Sequence, residues 1–213
     1  MADVTLHILT PATAFDLVTL EEAKIGLGLS FTTTDPVLDQ QLGFLISTQS
    51  AVVAAMCNTV FAKEKLTESW REIETGDRGR RVFLTHWPVV DADVETVTSN
   101  GAALAPSDWE LEERSGKLSY YAGYDEPATI TYTGGYDLPD GAPLALKQAT
   151  ITLVRDQRRQ IQLGNLEGIR SISHKSARVQ FYDPTKLMAM GIGGTAAEKA
   201  AQSLLRPYIR YWV

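Results

Sequence analysis

Cysteine is almost missing from this chain: Cys57 is the only one. That excludes an intramolecular disulfide and any cysteine-based zinc cluster. Histidine is scarce as well. His7, His86 and His174 lie far apart, and none sits in an HxxxH or HExxH pattern. Long apolar runs are lacking, and no stretch approaches the roughly 20 residues needed to span a bilayer. Met1 to Thr10 has no basic region followed by an apolar core, so no secretory signal is read there. Basic residues do not dominate either: 20 Lys/Arg face 26 Asp/Glu, for a net charge of −6. What is there is ordinary. A chain of 213 residues, 44% hydrophobic and 22% charged, has the composition of a soluble globular protein with a real core. Its length fits one domain, or one domain with appendages.

The charge is unevenly spread. Residues 1–140 hold 9 Lys/Arg against 22 Asp/Glu, a net of −13; residues 141–213 hold 11 against 4, a net of +7. An acidic body with a basic C-terminal third implies two surfaces with different neighbours. It also argues against a general nucleic-acid binder, which carries a basic domain.

Local signals give an order of elements. Thr19 and Glu22 form a capping box for a short helix, stopped by Gly26 and Gly28. Asp35-Pro36 opens a longer helix reaching Asn58, with Leu38, Leu42, Leu45, Val52 and Met56 as its apolar stripe. Its other face carries Asp39, Gln40, Ser47, Thr48 and Ser50, while Ala51, Ala54 and Ala55 would let another helix approach. Strand candidates follow at 66–73, 82–84, 94–98, 109–111, 117–121 and 128–132, with Asn100-Gly101 as a hairpin turn. Pro143 starts a helix ending near Gly164, with Leu146, Ala149, Leu153 and Val154 inward and Arg155, Arg158 and Arg159 outward. Residues 165–180 are Ser-rich, 179–182 read as a strand, Gly191 to Gly194 as a hinge, and Thr195 to Tyr208 as a last helix interrupted by Pro207. The expected class is α+β: mainly a helical bundle around a long central helix, with a small antiparallel sheet and an extended C-terminal tail. Residues 1–164 form the expected body and 165–213 a loop, helix and tail.

A search for chemistry returns little. The histidines read as surface or turn residues, and Cys57, beside Met56 on an Ala- and Val-rich helix, reads as a small buried hydrophobe. No serine lies in GxSxG. Gly191-Ile192-Gly193-Gly194-Thr195 lacks the Gly-Lys-Ser/Thr element of a phosphate loop. Glu110, Glu112 and Glu113 read as a solvated face. No catalytic residue, cofactor or metal is expected. The C-terminus differs: Arg206, Tyr208, Arg210, Tyr211 and Trp212 are the residue types that dominate protein–protein hot spots, although such a tail can equally fold back on its own core.

Four spaced segments carry a resemblance. They are Val18 to Lys24 with Asp35 and the helix to Asn58; Thr67-Glu68-Ser69-Trp70; His86-Trp87-Pro88-Val89-Val90 with Val94, Val97 and Asn100-Gly101; and Ile130 to Tyr136 with Pro139 and the helix at Pro143-Leu144. Together they resemble the head-tail connector (adaptor) family of tailed bacteriophages and gene transfer agents, over residues 18–160. The resemblance implies a non-enzymatic virion protein at the neck, a ring of copies, typically a dodecamer, beneath the portal. Such a ring extends the DNA channel, lets genomic DNA pass without sequence-specific contact, and offers a platform for a head-closure or tail protein. It also implies that the C-terminal part reaches the portal, through Arg206, Tyr208, Arg210, Tyr211 and Trp212. The alternatives are a head-closure or tail-completion ring protein one storey lower, a small enzyme or ligand-binding domain, and a DNA-binding module using Arg155, Arg158, Arg159 and Arg170.

Overall fold

The computed structural model describes residues 3–30, 32, 34–71, 75–76, 79–113, 115–120, 127–163, 171–174, 177–180 and 195–210. Among these, two compact units form. The first takes residues 1–17, 54–142 and 208–213 of the chain, the second 18–53 and 143–207. The α+β class holds, but the weighting toward a helical bundle does not. The first unit is built on two sheets, and helices dominate only the second.

In the first unit, β1 (Asp3–Thr10), β2 (Glu64–Arg71), β9 (Ala128–Gly134), β5 (Val94–Ser99) and β6 (Ala102–Ala103) make a five-stranded antiparallel sheet in the order β1-β2-β9-β5-β6. The short strands β3 (Thr75–Gly76), β4 (Gly79–Phe83), β8 (Lys117–Tyr120) and β7 (Trp109–Glu112) make a second, in the order β3-β4-β8-β7. The single small sheet expected is therefore two. Alternation decides the inward faces: β9 buries Ala128, Ile130 and Tyr132, and β2 buries Leu66 and Trp70. With Val82, Leu84, Val89, Leu118 and Tyr120 these fill one core. The β5–β6 turn is the one expected, with φ of 48° at Asn100 and 79° at Gly101.

In the second unit, α1 (Leu20–Gly26) starts on the expected capping box. The Thr19 hydroxyl accepts from Glu22 N at 3.1 Å, and Thr19 N donates to Glu22 Oε2 at 3.0 Å. In α2 (Pro36–Cys57), of which residues 36–53 belong to this unit, Asp35 Oδ1 accepts from the backbone N of Val37 and Leu38. α3 (Leu144–Leu163) buries Leu146, Ala149, Leu153 and Val154, as expected. Leu42, Leu45 and Ile46 of α2 share a core with Ile151 and Val154. The stripe on α2 departs from the expected one in its second half. Val52 is 39% exposed, whereas Gln49, Ser50, Val53 and Cys57 are buried. At 3.6 residues per turn the face through Leu42 and Ile46 returns at 49–50, 53 and 57, so phase outweighs side-chain polarity. Ala51 and Ala55 are exposed rather than covered by a helix.

A hairpin of β10 (Ser171–His174) and β11 (Ala177–Gln180) occupies part of the Ser-rich stretch, and α4 (Ala196–Leu205) follows. α4 has its own capping box, Thr195 with Glu198. The glycine stretch 191–194 and residues 181–182 lie outside the described residues. No described helix is long and apolar enough to cross a membrane.

Candidate functional site

The segments 67–70, 86–101 and 130–136 that looked distinctive in the sequence lie in the first unit, whereas Val18 to Lys24 and most of the helix from Asp35 lie in the second. Trp87-Pro88 is joined by a cis peptide bond after β4, and Gly134-Gly135-Tyr136 ends β9. Gly135 has φ of 110° and its N donates to Pro88 O; a Cβ there would collide with the Ala62 carbonyl, so only glycine fits. This brings Tyr136 edge-on to Trp87, with ring centroids 6.4 Å apart, and tilted against Phe61, also at 6.4 Å.

The C-terminal segment joins that cluster. α4 ends in a short 3-10 turn, Arg206–Tyr208, because Pro207 cannot continue an α-helix. Tyr208 then packs 6.3 Å from both Phe61 and Trp87. Arg210 N donates to Cys57 O at 2.9 Å, and the Arg210 guanidinium lies 5.2 Å from the Trp87 ring centre. Through Arg210 the tail is thus not extended: the contacts of Tyr208 with Phe61 and Trp87, the Arg210 N bond to Cys57 O and a cation–π contact hold it on the sheet unit. Arg206 is exposed, while Tyr208 and Arg210 are half-buried. Tyr211 and Trp212 lie outside the described residues.

Behind the aromatic cluster is a buried polar network that the sequence did not reveal. Glu68 is fully buried and accepts from Trp70 Nε1 at 3.0 Å, Thr85 N at 2.9 Å, the Thr85 hydroxyl and the Tyr132 hydroxyl. His86 is also buried, with Nε2 at 2.9 Å from the buried Glu64 carboxylate. His86 is therefore not a surface histidine. The only signal was Glu64 and Glu68 in alternation with Leu66 and Trp70, which puts all four on the inward face of one strand.

The network is closed rather than reactive. Burial, then the Glu68 charge and hydrogen bond, push the Tyr132 phenol far above its ordinary range. Burial and Tyr208 push Tyr136 up to about 12, against the opposing pull of Arg210. Burial lowers the Arg210 guanidinium, while Tyr132, Glu68 and Tyr136 resist that shift. Burial also pushes the Cys57 thiol up to about 11, which fits an inert hydrophobe and not a nucleophile. Among the described residues no group of three or more His, Cys, Asp or Glu could hold a metal ion.

Comparison with known proteins gives the frame for this arrangement. No curated protein matches the sequence. The fold is similar to that of a chain in the neck of an empty gene transfer agent particle computed with C6 symmetry. There the identity is 14% and the TM-score 0.55, with 98% of this chain and 97% of that one covered. It is also similar to a chain of the virion of a native gene transfer agent particle, at 14% identity and a TM-score of 0.53, over 98% and 96% of the two chains. These likenesses carry the fold; the sequence carries the family. Its model, described as head completion protein, matches residues 16–160, a span that takes in all four segments behind the connector resemblance, and the chain therefore belongs to the head completion protein family.

Proposed function

We propose that this chain is a subunit of a head-to-tail adaptor ring that binds beneath the portal, extends the DNA channel and receives the next neck or tail protein. Family membership makes it a structural virion protein of the head–tail interface and not an enzyme. The finer reading draws its support from one observation above others. The whole chain, at 98% coverage, shares its fold with a chain in the neck of a particle computed with rotational symmetry. A ring of wedges needs an interface in which two different surfaces of each copy meet. An acidic body suits a conduit that DNA slides through, because it repels phosphates. A dodecamer is the copy number proposed.

The portal-docking arm is proposed to be the C-terminal segment, with Arg206, Tyr208, Arg210, Tyr211 and Trp212 as contacts. The aromatic cluster supports this in a specific way. Tyr208 and Arg210 already make ring-on-ring and cation–π contacts with Phe61 and Trp87. A partner supplying the same chemistry can replace them at modest cost. The test is to label this chain in assembled particles and image them by negative stain. A label at the neck, repeated around the axis, is the expected result. A label on the capsid face or the tail tube defeats the reading.

A further inference from the structure

We propose that a groove between α2 and α3 of one copy receives the acidic segment 90–93 of a neighbouring copy, forming the head-to-tail contact of the ring. This rests on the ring reading above. The groove lies within the second unit and has a volume of about 340 Å³. Leu38, Leu42 and Leu45 form its floor, and Phe44, Arg158 and Ile161 are among its walls. Phe44 is 71% exposed and Ile161 61%. Large apolar side chains exposed together beside a preformed hollow mark an interaction surface rather than a scattered surface residue. Arg158 lines the groove, and the exposed Arg159 follows it on α3; neither carries an ion pair among the described residues.

The complementary surface is on the same chain. In the first unit, the 3-10 turn Asp91–Asp93 follows Val90, which is 42% exposed. Asp91 N donates to Glu113 Oε1 at 3.3 Å, so a third carboxylate joins Asp91 and Asp93. None of the three carries an ion pair among the described residues. The imbalance extends to the units as wholes. The first holds 18 Asp/Glu against 9 Lys/Arg, a net of −9, and the second 8 against 11, a net of +3. A surface made for an unrelated partner does not require its complement on its own chain. A head-to-tail contact between identical copies requires both halves on every copy, and this chain has both. The valine fills the groove, and the carboxylates set register against Arg158 and Arg159.

The test is a paired cross-link in particles carrying Val90→Cys and Ile161→Cys in one chain, treated with a mild thiol oxidant. Cys57 is buried and stays silent. A ladder of multimers above the dimer, absent from either single variant, is expected. Charge reversal by Arg158→Glu and Arg159→Glu should weaken the ladder by about tenfold or more, and adding Asp91→Lys and Asp93→Lys should restore it. Multiple copies at the neck with no ladder overturn this contact and leave the ring reading standing. Cross-linking of Ile161→Cys to a different neck protein also overturns it. A chain missing from the neck overturns both.

Discussion

Glu68 shows how single residues set the rigidity of the sheet unit. Its carboxylate, fully buried, takes hydrogen bonds from Trp70, Thr85 and Tyr132, which come from three separate stretches of the chain. Removing one donor leaves a buried charge short of a partner. Tyr132→Phe should therefore cost about 1–3 kcal/mol in a denaturant melt, although it deletes only one oxygen. Glu22 gives a pH-dependent counterpart in the second unit. Burial raises its carboxyl, but the bonds from Lys147 (Nζ to Oε1, 2.6 Å) and Thr19 outweigh that and hold it below its ordinary value. A carboxyl lowered in the folded state contributes stability above its unfolded pKa and loses it as pH falls through the folded value. Glu22→Gln should thus lower stability at neutral pH, by roughly 1 kcal/mol or less because the carboxyl is partly exposed, and should flatten the acid side of the stability profile. An acid limb left unchanged by Glu22→Gln would show that the Lys147 pair is worth nothing. Neither pair was legible beforehand, since Glu22 and Lys147 stand 125 positions apart and Glu68 and Tyr132 stand 64 apart.

Elements were far more legible than contacts, and for local reasons. The helix starts at Thr19 and Asp35, the stop at Gly26 and the turn at Asn100-Gly101 all depend on bonds within a few residues. Gly101→Val should cost on the order of 1–3 kcal/mol, because a branched residue is strained at φ of 79°. A thermal melt unchanged by that substitution would mean the turn relaxes freely. Sheet partition was not legible, because strands of similar length and composition give no local sign of which sheet they join. The edge strand β1 had no turn signal pairing it with β2, which begins at Glu64. On α2 the polar Gln49 and Ser50 disguised the buried face, and the stripe slid onto Val52. Leu45 lies where expectation and structure agree, 6% exposed against Ile151 and Val154. Leu45→Ala should cost about 2–5 kcal/mol by denaturant melt; a loss well below about 1 kcal/mol would mean the site is not core.

At the scale of the whole molecule, the two units are each assembled from discontinuous stretches, and the chain's last described residues belong to the unit in which it begins. Composition alone left the aromatic tail balanced between an external anchor and a folded-back core element. Pro207 marked where the helix would stop, but nothing local marked Phe61, Trp87 and Tyr136 as the seat beyond it. Truncation after Pro207 separates the roles. It leaves α4 intact, including the fully buried Ala201 and Leu205. It removes Tyr208 and Arg210, and with them one ring and the charge beside Trp87. The sheets have their own core of Leu66, Leu84, Leu118, Ile130 and Tyr132, none of which the deletion removes. Far-UV circular dichroism should stay unchanged, while Trp87 gains water and tryptophan emission shifts to the red. Under the proposed docking role, affinity for the cognate portal should fall by about 100-fold or more, because the deletion would remove the aromatic and arginine anchors assigned to that contact. Unchanged portal affinity would make the segment a cover for Trp87 and nothing else. Collapse of the dichroism signal would make it a structural part of the sheet unit, and the docking role would have to move elsewhere on the chain.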